Sequence, residues 1–77
     1  MPYPADTVIE LPSGAVISYG PRRHDGDVVV ACPPNEATLW GVYVTPPQEF
    51  ASHWRADCWK QEDAKAVAHA IAARMEV

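Results

Sequence analysis

Residues 53–75 read HWRADCWKQEDAKAVAHAIAARM, and within this stretch the hydrophobic period changes from two residues to 3.6. Between His53 and Trp59 the side chains alternate. Trp54, Ala56 and Cys58 share one side, and His53, Arg55, Asp57 and Trp59 share the other, the pattern of a half-buried antiparallel strand. Further on, Ala64, Val67, Ala68, Ile71 and Met75 follow i, i+3, i+4, i+7 and i+11 and gather on one stripe of a helix, while Glu62, Lys65, His69 and Glu76 fall opposite. Glu62 and Asp63 in the first turn and Arg74 in the last suit the helix dipole, so the helix starts near Gln61. Its stripe is mostly alanine, which lets the backbone lie close against a flat sheet.

The rest of the chain supplies that sheet. Thr7 to Leu11 and Ala15 to Tyr19 are β-rich runs separated by Pro12-Ser13-Gly14, a hairpin signal. Gly20-Pro21 then reads as the end of the second strand and Arg22 to Gly26 as a charged, flexible connection. Asp27 to Cys32 has the unbroken β-branched character of a central strand, stopped by Pro33-Pro34-Asn35-Glu36. Thr38 to Thr45 is the next strand, joined to the previous one by a short loop and therefore expected antiparallel to it. Pro46-Pro47 closes that strand, and residues 48–52 connect it to the segment at His53. The expected fold is α+β: an antiparallel sheet of four to five strands with one C-terminal helix packed on one face, all in a single domain of residues 1–77.

Size and charge limit what such a domain does. A chain of 77 residues buries little more than about 60% of its unfolded surface and leaves no room for a cofactor cavity. A net charge of −4 argues against independent binding to nucleic acid or an anionic membrane, and an electropositive protein partner is more natural. The N-terminus, Met1-Pro2-Tyr3-Pro4-Ala5-Asp6, carries no signal-peptide pattern, and no segment reaches the length of a membrane span, so a cytoplasmic location is expected. Cys32 and Cys58 are too few for a disulfide framework and read as small buried side chains.

No chemical motif emerges. His53, Asp57 and Cys58 lie within six residues, but His53 and Cys58 have opposite parity and point to opposite faces of a regular strand. His53 and Asp57 share a face and suit a surface ion network. Neither His24, His53 nor His69 has a second ligand at i+3 or i+4, so no metal is expected, nor any cofactor. Arg22-Arg23-His24 is the one basic cluster, and an arginine there is expected to pair with the neighbouring Asp25 or Asp27.

What remains is an acidic surface and a large aromatic complement. Asp25, Asp27, Glu36, Glu62 and Asp63 can imitate the charge pattern of nucleic acid and occupy a basic groove. Of Trp40, Tyr43, Trp54 and Trp59, three are expected in the core. Trp40, Val42 and Val44 share one face of their strand and Leu39 and Tyr43 the other, which leaves Tyr43 and Trp59 as candidate anchors for a partner.

The strand-to-helix segment Ala56-Asp57-Cys58-Trp59-Lys60-Gln61-Glu62-Asp63-Ala64 is similar to a pattern of A-D-F followed by E-D-A found in small phage proteins, with Cys58 in the aromatic position. A short acidic chain of this architecture resembles the anti-CRISPR proteins that phages encode against type I surveillance complexes. That resemblance implies a non-enzymatic inhibitor in the host bacterial cytoplasm, binding a Cas subunit with a basic surface and blocking target DNA, with no direct nucleic-acid contact. The alternative is a small homodimeric structural or accessory module that pairs with its own copy through the open sheet face or an edge strand. A nucleic-acid binder using Arg22, Arg23 and Arg55 comes third, and an enzyme last.

Overall fold

Pro12-Ser13-Gly14 does turn the chain back on itself. Leu11 donates its N–H to Ala15 O and Gly14 donates to Leu11 O, both at 2.9 Å, and Gly14 takes φ 95°, a conformation that favours glycine. In the computed structural model, which describes residues 3–75, the hairpin pairs β1 (Thr7–Glu10) with the lower half of β2 (Val16–Asp25), from Thr7 opposite Tyr19 to Glu10 opposite Val16.

The second strand does not stop at Gly20-Pro21. It runs on to Asp25, so Arg22 to Asp25 are strand residues and not a flexible link. Proline is tolerated because of where its missing donor points. Pro21 O accepts from Cys32 N, and in an extended strand the N and O of one residue face the same side. The absent N–H therefore falls on the edge where β1 has ended and β3 begins. Gly26-Asp27 makes a two-residue turn, with φ 64° at Gly26, and leads into β3 (Val28–Ala31), with Asp25 opposite Val28 and Arg22 opposite Ala31.

The valine run 28–30 is thus an edge strand, not a central one: it pairs with β2 alone. Nor is β4 (Leu39–Thr45) its neighbour. β4 pairs with the other side of β2, Val16 opposite Thr45 through Arg22 opposite Leu39, so β3 and β4 run in the same direction with β2 between them. Residues 32–38, which carry the 3-10 turn Pro34–Glu36, cross β2 to make the link, and Thr38 N bonds Arg22 O at 2.9 Å. The sheet is five-stranded and antiparallel, in the order β1-β2-β4-β5 with β3 beside β1 on β2.

The outer strand β5 (His53–Cys58) holds a bulge. Val42 faces Ala56, but Tyr43 faces Trp54, so Arg55 is an extra residue and the alternation slips there. Ala56 and Cys58 face the helix as their parity requires. Trp54 does not: beyond the bulge it joins the opposite face, 62% exposed, with its Nε1–H donated to Asp57 Oδ1 at 2.9 Å. His53 and Asp57 consequently lie on opposite faces, opposite Val44 and Gly41, and His53 Nε2 instead meets Glu49 Oε1 at 3.3 Å.

Helix α1 (Gln61–Met75) covers the face formed by Ile17, Tyr19, Val42 and Val44. Ala64, Ala68 and Ala72 are its buried residues, with Val67 and Ile71 flanking. Met75 is exposed and Ala72 takes the place expected of it, while Glu76 lies outside the described residues. The alanines contribute little area, whereas full burial of Ile17, Val42 or Val44 is worth about 1.5–3 kcal/mol each. The sheet supplies most of the burial energy, and the small helix stripe supplies the close approach that makes the burial complete. Of the four aromatics only Trp40 packs against this core; Tyr43 lies half-buried on the other face, and Trp54 and Trp59 are exposed.

Candidate functional site

The face away from α1 is organised by two glycines that oppose one another, Gly20 and Gly41. A side-chain carbon on Gly20 would overlap the Asp6 carboxylate, and one on Gly41 would stand 2.7 Å from the Tyr43 hydroxyl. Their bareness lets Asp6 come down onto β2 and lets the Tyr43 ring lie back along β4. Between these two groups sits Arg22. Its Nη1 and Nη2 each donate to one Asp6 oxygen at 2.8 Å, Nη1 also bonds Pro21 O at 2.9 Å, and Nε bonds the Tyr43 hydroxyl at 3.2 Å. The Tyr3 and Tyr43 ring centres lie 5.2 and 4.9 Å from the guanidinium carbon.

The hydrogen bonds to Asp6 outweigh the opposing effect of burial and, with the Tyr43 bond, hold the guanidinium even more firmly protonated than usual. Arg22 therefore pairs with Asp6, sixteen residues upstream, rather than with Asp25 or Asp27. The sequence gives no signal of this, because pairing depends on a turn at Pro4-Ala5 and on the register that puts Gly20 under Asp6. A buried, neutralised Arg22 is also lost to phosphate binding.

Above this pair lies a cleft of about 450 Å³ bounded by Tyr3, Tyr43, Val29, Phe50 and Ser52, with Arg22 among its lining residues. Phe50, read from sequence only as part of a connection, is 98% exposed on its rim.

The acidic candidates are elsewhere. β2 ends at Asp25 and turns through Asp27 at the end of the sheet where β5 finishes, and there Trp59 and Lys60 bend the chain into α1 with Glu62 and Asp63 in its first turn. Trp59 lies just beyond β5 and is 84% exposed. Glu36 belongs to the crossing link. Tyr43 is not of this group: it stands mid-strand on the open face, engaged with Arg22.

The bulge removes the parity that separated His53 from Cys58, yet they oppose Val44 and Trp40, about 13 Å apart along β4. Burial, with help from the Asp63 and Asp57 charges, pushes the Cys58 thiol up and keeps it protonated. Cys32 and Cys58 are both free. Among the described residues no group of three or more His, Cys, Asp or Glu side chains is placed to hold a metal ion, and no helix is long and apolar enough to cross a membrane. Set against known proteins, the chain matches no family model, no curated protein sequence and no solved structure.

Proposed function

We propose that this chain acts by binding a protein with a basic surface, through the end of the sheet where Trp59 stands beside Glu62 and Asp63. The supporting observation is Trp59 itself: a tryptophan 84% exposed directly ahead of a helix start that carries two carboxylates. Large exposed aromatics are the residues most often found at binding hot spots, and they are costly to leave in water without a partner. Asp25 and Asp27 at the β2–β3 turn extend the negative charge on the same end. The narrower form of the proposal is inhibition by occupation: the acidic end docks where a partner would hold a nucleic-acid backbone, displacing the same counterions. A Cas subunit of a type I surveillance complex is the partner that this reading nominates.

The test is co-purification with such a complex together with a target-DNA binding assay. Stable association and lost DNA loading are expected for the native chain. Glu62→Lys with Asp63→Lys is expected to weaken association by at least about tenfold, since charge pairs at an interface govern rate and register. Trp59→Ala is expected to cost at least as much. Native protein that neither associates nor reduces DNA loading overturns the narrower form, and association unchanged in both variants overturns the choice of surface.

A further inference from the structure

The large apolar side chains left exposed are unevenly placed. Val8 opposes Ser18, Val29 opposes His24 and Trp54 opposes Tyr43, which puts all three on the face away from α1; Tyr3 and Phe50 border the cleft on that face.

We propose that this face is the interface of a symmetric homodimer in which Phe50 of each copy enters the Arg22 cleft of the other. Two features select a second copy as the occupant. First, the buried charge at the centre of the face, Arg22, is matched internally by Asp6, so a charged foreign partner would find no complement there while two identical faces meet without opposing unmatched charge at their centre. Second, a projecting apolar side chain and a cleft large enough to receive it occur on the same face, the arrangement that a twofold axis makes self-complementary. α1 already covers the opposite face, so the result is a layered assembly of helix, sheet, sheet and helix.

The acidic end at Trp59 stays outside this contact. The inference therefore stands apart from the basic-partner reading, and either can fail alone. If both hold, each dimer presents two binding ends, and avidity follows from geometry alone.

The experiment is molar mass by sedimentation equilibrium from ~5 to ~500 µM, a range set to bracket micromolar dissociation. The native chain is expected to move from one chain mass to two across it. Phe50→Asp alters a side chain that is 98% exposed in the monomer, so its fold is expected intact by circular dichroism. Association is expected to weaken at least tenfold, which is about 1.4 kcal/mol. Trp54→Lys is expected to act in the same direction, and Trp59→Ala to leave the mass unchanged. A native chain that remains monomeric at ~500 µM overturns the proposal and leaves the cleft to a different occupant. So does a dimer that survives both Phe50→Asp and Trp54→Lys, which would place the contact on an edge strand.

Discussion

Each oxygen of the Asp6 carboxylate accepts a hydrogen bond from a different terminal nitrogen of Arg22, both at 2.8 Å, in a pair whose side chains are 1% and 5% exposed. Breaking such a pair strands a buried charge and costs about 3–5 kcal/mol. That is a large share of the roughly 4–12 kcal/mol available to a chain of this length. Asp6→Ala is therefore expected to lower the urea midpoint steeply, with an unchanged slope. Asp6→Leu combined with Arg22→Met, which removes both charges, is expected to cost less than Asp6→Ala alone. The reverse order would show that the pair is not effectively desolvated.

The same contact makes Gly20 irreplaceable. Gly20→Ala puts a methyl where the carboxylate lies, so Asp6 must leave and the loss should approach that of Asp6→Ala. Combined, the two substitutions are expected to be strongly non-additive, with a coupling of at least about 1 kcal/mol. Additive losses would mean that Gly20→Ala acts elsewhere.

Trp40 and Trp54 provide a test of the bulge. Trp40 packs against the core and Trp54 is mostly in solvent. Trp40→Ala is expected to cost about 3 kcal/mol, and Trp54→Ala less than about 1 kcal/mol, both read by chemical denaturation at concentrations too low for association. Comparable losses would place Trp54 under the helix and contradict the register at Arg55.

Ala68 is fully buried where α1 crosses the sheet. Ala68→Leu is expected to destabilise by about 1–3 kcal/mol through overpacking, whereas Ala70→Leu on the exposed side is expected to stay within about 0.5 kcal/mol. Thermal melts of the two variants make the comparison directly.

Burial raises the Cys58 thiol above its usual range in the folded state, with Asp63 and Asp57 adding to the effect. The folded value thus exceeds the unfolded one, near 8.5. The stability linked to this group is fully present below the unfolded value and is lost as pH rises through the folded one. Denaturation between pH 7 and 10 is expected to show a decline in the native chain that is shallower in Cys58→Ala, and alkylation of Cys58 at pH 8 is expected to be slow relative to unfolded protein. An equal decline in both chains would assign the loss to other groups.

The helix from Gln61 and the five runs of strand were legible because period and punctuation are local properties, carried by residues close in sequence. What stayed hidden depends on long-range register. Pro21 reads as a terminator until one knows that its nitrogen faces a gap between two partners, and Val28–Val30 reads as central until β4 is seen to cross to the other side of β2. Arg55 looks like any alternating residue, yet as an extra residue in β5 it moves Trp54 to the other face. The acidic candidates could be named from sequence because charge is a composition; the Arg22 pair could not, because Asp6 reaches it only through the paired geometry of β1 and β2.

The crossing link of residues 32–38 carries a consequence for the order of events during folding. β1, β2 and β3 are consecutive hairpins with short loops, and their closure is fast. β4 must instead pass across β2 before pairing with it, and until then α1, with its alanine stripe, has Ile17 and Tyr19 of β2 to cover but lacks Val42 and Val44. Loop closure is thus met before the burial of Val42 and Val44 repays it, which puts the rate-limiting barrier at the docking of β4. Val42→Ala is expected to slow folding, with a φ-value above about 0.5. Ala68→Gly in α1 is expected mainly to speed unfolding.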